Sequence, residues 1–412
     1  MNNLNKKEAP AYNESKLVYD HYGGAFLKQQ FLVDYLEHII PVSFLLSSEG
    51  EIIKLGEDAP RFTVTLNHEL DKKELLASTS LALGEAYMRG DIEVDKDLFE
   101  VLDTFMSQMD RFTTNHSLLH RLLYTSTSKK NQKKEVSSHY DIGNDFYSLW
   151  LDETMSYSCG YFKKEDDSLY EAQVQKVDHI LEKLQLKPGM SLLDIGCGWG
   201  FLLKRAVEKY DVLGVGITLS REQAKKIRED LKREGLEEKI SIQVLDYREL
   251  KDTKCQFDRV VSVGMLEHVG RDNYPLYLEN VKSVLKPGGL FLLHFISALK
   301  EHPGDPFMKK YIFPGGMVPS LREIIQIMGD KQFYTLDVES LRRHYSKTLL
   351  CWRENFLEHR EEILKMQGME FTRMWELYLT ACAATFKNGV IDLHQILMSN
   401  GVNNELPMTR VI

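Results

Sequence analysis

Three stretches of the chain differ in how apolar and polar positions alternate. Up to about residue 125, short apolar runs alternate with helical ones. Phe62-Thr63-Val64-Thr65-Leu66 predicts a strand and Leu75–Met88 a helix, with Arg89-Gly90-Asp91 as a helix stop and turn. A polar, basic stretch from Thr125 through Lys134 follows, without aliphatic residues, and predicts an interdomain linker. Beyond it the pattern is regular. Val174, Val177, Ile180, Leu181 and Leu184 recur at helical spacing, Pro188-Gly189 stops that helix, and Met190–Ile195 predicts a buried strand. A glycine loop and a helix over Phe201–Tyr210 come next, then a strand at Val212–Val215. Ser220-x-x-Gln223 reads as a capping box for a helix ending near Gly235. Strands at Ile240–Leu245, Arg259–Val263 and Leu290–Ile296 alternate with helices, which predicts a parallel, doubly wound α/β sheet. Its ligand site should lie at the carboxyl ends of the strands. From Phe307 onward come a Pro/Gly-rich loop, amphipathic helices around Trp352 and Trp375, and a final strand near Ile396. The expected division is a small α+β domain (1–125), a linker (126–134) and a larger domain (135–412).

Charge and cysteine usage narrow the function classes. The net charge of −9 argues against a general nucleic-acid binder, so any membrane contact must come from a local patch. The apolar runs Ile39–Leu46, broken by Pro41, and Leu290–Ile296 are far shorter than the ~18 residues of a spanning helix. Residues 1–16 are polar and mixed in charge, unlike a leader or an anchor. The five cysteines are scattered without a C-x-x-C pair, which disfavours a disulfide framework or a common zinc site, and no metal is expected. A reducing cytoplasm fits this usage.

The chemistry starts at Leu193-Asp194-Ile195-Gly196-Cys197-Gly198-Trp199-Gly200, between a strand and a helix, where glycines let backbone approach a ligand. A dinucleotide site would want G-x-G-x-x-G and an acid ~20 residues on. Gly216 stands there instead, and no acid ends the second strand. The D-x-G-C-G-x-G shape favours an S-adenosylmethionine pocket, with Thr218 and Gln223 as hydroxyl partners in place of the acid.

Further segments carry a resemblance. His139-Tyr140-Asp141, Met155 through Phe162 with its Tyr157-Ser158-Cys159 core, Ile217-Thr218-Leu219-Ser220, Gly264 through Gly270 with Glu267-His268-Val269-Gly270, Tyr311 through Gly316 and His344 through Leu349 are similar to the cyclopropane-fatty-acyl-phospholipid synthases and the related mycolic-acid cyclopropane synthases. The likeness covers residues 135–400; Met88 through Val94 resembles the extra domain of the phospholipid-acting branch. Leu266 departs from the phenylalanine common in the family. The resemblance implies a Rossmann-like class I methyltransferase domain with helical additions forming a lipid pocket. It also implies transfer of a methylene group from S-adenosylmethionine to the cis double bond of unsaturated acyl chains in membrane phospholipids. The work would be done as a peripheral protein at the inner membrane face. A homodimer is compatible, and the amino-terminal domain is expected to serve lipid access or dimerisation.

That reaction needs a dry apolar pocket, aromatic faces near a carbocation and a base. The residues by themselves leave Glu267 or His294 as the base, both at expected strand ends. The resemblance implies instead a bound bicarbonate ion held by Cys159, Glu267, His294, Tyr345 and the backbone of Ile296. Glu267 would then be protonated or would orient His294, because two anions conflict. For S-adenosylmethionine it implies Tyr157 and Ser158 at the methionine end and Gly196, Gly198 and Gly200 in backbone contact. Thr218, Leu219 and Gln223 fall near the ribose, Asp246, Tyr247 and Arg248 at the adenine, and Val263 and Gly264 on the floor. Cys197 lies in the same loop and reads mainly as packing. Cys382 sits where the family has been given a reactive cysteine, though the chemistry needs no covalent thiol. Glu339 is a candidate supporting acid. His139, His268 and His344 read as structural, and the Lys129-Lys130…Lys133-Lys134 cluster as a solvated linker or an attraction to anionic lipid. The segment Glu301–Ser320 is a lid or an ordinary connection. Rival readings are a C-methyltransferase of acyl chains, a small-molecule methyltransferase and an inactive lipid-binding protein.

Overall fold

The computed structural model describes residues 32–34, 36, 42–108, 142–301 and 304–409. The expected linker, its lysine cluster and His139 lie outside the described residues. Near the amino terminus, β1 (Phe44–Ser48), β2 (Glu51–Leu55), β3 (Thr63–Leu66) and β4 (Ile92–Val94) form a sheet in the order β2-β1-β3-β4. The single helix expected over Leu75–Met88 is two helices, α1 (Lys72–Ala77) and α2 (Thr79–Arg89). Ser78 breaks it: its backbone is extended and its hydroxyl accepts from Leu81 N, so it caps the second helix. Gly90 ends α2 in the left-handed conformation, the expected stop. Helix α3 (Leu98–Met106) completes this unit.

The larger unit opens with the short helix α4 (Asn144–Ser148) and the long α5 (Leu169–Lys183), which starts in a full Ser168/Glu171 capping box. The sheet strands are β5 (Ser191–Ile195), β6 (Leu213–Thr218), β7 (Ile240–Val244), β8 (Phe257–Val263), β9 (Leu285–Ser297), β10 (Phe333–Ser340) and β11 (Asp392–Asn400). Helices α6 (Phe201–Tyr210), α7 (Arg221–Glu234), α8 (Tyr274–Val284) and α9 (Leu321–Asp330) punctuate them. After β10 come α10 (Arg342–Glu358), α11 (Arg360–Gln367) and α12 (Met369–Lys387). Strand order is β10-β11-β9-β8-β5-β6-β7. Strands β5 to β9 pair in parallel, while β11 runs antiparallel to both β9 and β10. The sheet is therefore mixed rather than wholly parallel. Nothing in the apolar pattern predicts β10, because Tyr334, Thr335 and Leu336 on this edge strand are exposed.

Both faces of the sheet are buried. Phe291, Leu293 and Phe295 of β9 pack with Tyr274, Tyr277 and Val281 of α8, while Leu290 and Leu292 pack with Ile180 and Leu181 of α5. A separate cluster lies beyond the carboxyl ends of the strands, where Phe146, Trp150, Trp352, Phe356, Trp375 and Tyr378 are shut from water. Such a cluster gains from edge-to-face ring contacts as well as from area. The amino-terminal unit packs on α12 through α2 and α3. Arg373 pairs with Glu93 (2.9 Å) and Lys387 with Asp103 (2.6 Å), while Arg353 of α10 pairs with Asp97 (2.6 Å).

Position 216 explains the absent acid. A Cβ there would lie 2.8 Å from Ile242 Cδ1 and 2.9 Å from both Cys197 Sγ and Leu203 Cδ1. Gly216→Ala is expected to destabilise the protein by roughly 1–3 kcal/mol through overpacking. Urea unfolding tests it: an unchanged midpoint would mean that the glycine loop has room to spare.

Candidate active site

A cleft at the carboxyl ends of β5, β6 and β8 contains about 1190 Å³ of empty space, part of it open to solvent. The loop after β5 turns through Gly196, Gly198 and Gly200, all at positive φ. Nothing lies within 4 Å of where a Gly198 Cβ would stand, so backbone there faces open space. Tyr157, Ser158, Gly196, Cys197, Gly198, Thr218, Leu219, Gln223, Tyr247, Arg248, Val263 and Gly264 all line this one cleft. The Thr218 hydroxyl donates to Gln223 Oε1 (2.9 Å) and accepts from Ser220 N (3.1 Å). The expected capping box is therefore only half made. Ser220 Oγ accepts from Gln223 N, but the Gln223 side chain turns to Thr218 instead.

Two expected cofactor residues do other work. Gly200 is not on the cleft wall; it enters α6 in the left-handed region, and a Cβ there would press on Ile227 of α7 at 3.0 Å. Asp246 is also absent from the wall. It caps its own 3-10 turn and grips Arg248 with both oxygens (2.8 and 2.7 Å), so it positions Arg248 and Tyr247.

At the far end of β9, His294 is 1% exposed and pairs across the sheet with Val263 of β8 and Gln395 of β11. Its Nδ1 lies 3.2 Å from Gln395 Nε2, and its Nε2 is buried with no hydrogen-bond partner among the described residues. Burial pulls this imidazole down to about 3, so it is neutral. Glu267, in the 3-10 turn after β8, does not reach His294. Its Oε1 accepts from Ile296 N (2.6 Å), part of the backbone expected to hold an anion, and its Oε2 is buried without a partner among the described residues. Burial pushes the Glu267 carboxyl up to about 7, against the Ile296 N–H. The Cys159 thiol is fully buried, donates to Gly160 O (3.1 Å), and is held protonated by burial. Burial likewise raises the Tyr345 phenol, with Cys159, Glu267 and Cys382 among the neighbours that add to the shift. Cys382, on α12, is pushed up to about 12 by burial and is a poor nucleophile. Glu339 lies one layer back on β10. Burial raises it, but hydrogen bonds from His179 (2.7 Å) and Lys183 (2.5 Å) hold it at about 2.

Three residues on the cleft wall were given no ligand role by the sequence: Asp194 and His268 lie inside the quoted motifs, while Lys176 lies in none. Lys176, 3% exposed, lines the cleft and donates to Ser158 Oγ (3.1 Å); burial lowers it to about 8. Asp194 lines the same cleft and is raised by burial to about 7, with Lys176 opposing. His268, expected to be structural, is on the cleft wall and is lowered by burial to about 4. His344 is structural as expected: its Nδ1 accepts from Phe162 N (3.0 Å) and its ring stacks on Tyr161. In α5 the polar Gln173, Lys176, His179 and Lys183 interleave with the apolar stripe and are all buried, which only the packed helix reveals.

Sheet order and cleft together define the class, an S-adenosylmethionine-dependent transferase with the Rossmann-like class I methyltransferase fold. Residues 127–396 match the mycolic acid cyclopropane synthetase family, and the chain belongs to it. Residues 29–117 match a domain of unknown function. The chain is 42% identical to cyclopropane-fatty-acyl-phospholipid synthase of Escherichia coli, over 89% of this chain and 94% of that one. It is 38% identical to a probable fatty acid methyltransferase of Pseudomonas putida, over 88% and 93% respectively. The solved cyclopropane synthase MmaA2 from Mycobacterium tuberculosis superposes with a TM-score of 0.61 at 35% identity, over 65% of this chain and 98% of that one. Mycolic acid cyclopropane synthase CmaA1, solved with SAH and CTAB, gives 0.61 at 36%, with the same coverage. No helix among the described residues is long and apolar enough to cross a membrane.

A raised carboxyl makes stability depend on pH. Between the ordinary carboxylate value and about 7, folded Glu267 holds a proton that the unfolded chain releases, so its contribution weakens as pH rises through that window. Glu267→Gln removes this effect. Its stability relative to the parent should therefore be higher at pH 8 than at pH 5.5, by on the order of 2 kcal/mol. Denaturant melts at the two pH values decide it, and a gain that is equal or reversed would mean that Glu267 is an ordinary ionised carboxylate.

Proposed function

We propose that the protein converts the cis double bond of unsaturated acyl chains in membrane phospholipids into a cyclopropane ring, working as a peripheral cytoplasmic enzyme at the inner membrane face. The observation that carries this reading is a pair of buried polar atoms without a hydrogen-bond partner among the described residues, His294 Nε2 and Glu267 Oε2, on residues next to Val263 and His268 of the cleft wall and to Ile296 of the aromatic cluster. S-adenosylmethionine, held in the cleft lined by Tyr157, Gly198 and Thr218, would supply the methyl carbon: the alkene π pair would bond to it as the carbon–sulfur bond breaks, a methyl proton would pass to the bound base, and the freed pair would close the ring. The protein's own part is to place, to dry and to hold. Tyr157 and Ser158 sit on the cleft wall at the expected methionine end, and Lys176 and Gln173 fasten that segment through Ser158 (3.1 and 2.8 Å). Rings of Trp150, Tyr157 and Trp352, with centroids 5.3–5.7 Å apart, exclude water that would trap a cation and offer it aromatic faces.

The polar groups nearest this chamber are mostly donors or neutral, which suits a small anion. Bicarbonate would be held by His294 and Glu267, with Tyr345 and Cys159 beside them, and would supply the base. Ile296 N–H is engaged by Glu267, so the backbone of Ile296 also serves by holding that carboxyl in place. The amino-terminal domain serves lipid access or dimerisation in this reading, through its seat on α12.

A second reading is acyl-chain methylation without ring closure, favoured by the name of the Pseudomonas putida relative. Incubation with methyl-labelled S-adenosylmethionine and vesicles of monounsaturated phospholipid separates the two by mass spectrometry. Ring formation gives one added CH2 with loss of the double bond; a labelled acyl group that is branched or still unsaturated gives the second reading. His294→Ala and Cys159→Ala should each lower turnover on the order of 10–100-fold while cofactor affinity stays near that of the parent. Loss of cofactor binding instead would mean that these residues shape the cleft rather than the reaction.

A further inference from the structure

Beneath His294, a series of hydrogen bonds runs back between α5 and the sheet. Lys183, 5% exposed, donates to Glu339 Oε2 (2.5 Å) and to Gln395 Oε1 (3.0 Å), and it also pairs with Asp337 (3.4 Å). Gln395, fully buried, then meets His294 Nδ1 through its Nε2 (3.2 Å). The direction of this series follows from donor chemistry alone. An ammonium has only protons to give, so the Gln395 atom beside it must be the carbonyl oxygen. The amide nitrogen then faces His294, and because it too can only donate, Nδ1 must accept. The single proton of the neutral ring is left on Nε2, the atom with no partner among the described residues.

We propose that Lys183 and Gln395 are positioning residues that lock His294 as the Nε2–H tautomer, so that it presents a hydrogen-bond donor, not a base, to the reacting chamber. Burial, which keeps the ring neutral, works in the same direction. Of the two candidates for a protein base, His294 is thereby removed. Glu339 acts one step further back, by holding Lys183 and His179 in place. The tautomer assignment stands on geometry; its consequence for turnover rests on the proposed reaction.

The ring nitrogens of His294 can be read directly, by 15N-histidine labelling and long-range proton–nitrogen correlation, with the signal assigned by its loss in His294→Gln. The full-length parent should show a neutral ring protonated at Nε2. A ring protonated at Nδ1 overturns the proposal. Gln395→Glu puts an acceptor opposite Nδ1, and should give an Nδ1–H or doubly protonated ring. Turnover should fall on the order of 100-fold with unchanged affinity for S-adenosylhomocysteine. Turnover like the parent's in a variant whose tautomer has changed overturns the functional part. Lys183→Met, which frees the amide to rotate, should give a mixture of tautomers, and a signature identical to the parent's removes Lys183 from the device. Should Gln395→Glu fail to fold, the parent spectrum and Lys183→Met still decide. A parent that shows the Nε2–H ring yet transfers no label to lipid would sink the proposed reaction and leave the tautomer assignment standing.

Discussion

Helix α5 buries three basic side chains, Lys176, His179 and Lys183, against a sheet that offers few charges to meet them, and the site is arranged around that constraint. An unpaired charge in such a place costs several kcal/mol, so each basic group needs a specific partner. Lys183 and His179 share Glu339, while Lys176 finds the Ser158 hydroxyl with Asp152 and Asp194 in its field. At a rise of 1.5 Å per residue, Lys176 and Lys183 stand about 10 Å apart on the helix. One helix thus fixes the loop at the cofactor cleft with one lysine and the strand end that carries His294 with another. Slipping α5 by a turn would disturb both ends together.

The second organising term is dryness. Trp150, Trp352 and Trp375 are fully buried beside Tyr157, whose hydroxyl meets that of Tyr378 at 2.6 Å. Burial raises carboxyls and lowers imidazoles, and it both keeps His294 neutral and brings Glu267 near 7. Low charge around the end of β9 is therefore a product of burial and not a separate device.

Much of this was legible in the sequence because it follows from local rules. The glycine loop, the alternation of strands and helices and the stops at Gly90 and Gly235 depend on near neighbours, and they appear where expected. What escaped depends on distant partners. Gly200 resembles a ligand contact until α7 is in place and Ile227 closes on it. Asp246 resembles an adenine acceptor until Arg248 folds back onto it. A lysine in an apolar stripe usually carries its charge out to water, so nothing local distinguishes Lys176 or Lys183 from a surface residue. Strand β10 was hidden for the opposite reason: its exposed face gives no apolar run, and only pairing with β11 makes it a strand.

The balance of donors and acceptors bears on where a base could come from. Around the end of β9, the polar side-chain atoms include a thiol held protonated, a phenol held protonated, the Nε2 of a neutral imidazole and one carboxyl near 7. Of these, only the carboxyl can accept a proton readily, and one of its oxygens is tied to Ile296 N–H. A carboxylate so tethered can follow a reacting centre only as far as its backbone contact allows. A free anion bound among these donors could approach more closely, and would give Glu267 Oε2 and His294 Nε2 the partners that burial denies them. These two atoms, without partners among the described residues, are what the proposed small anion would satisfy and a tethered base would not.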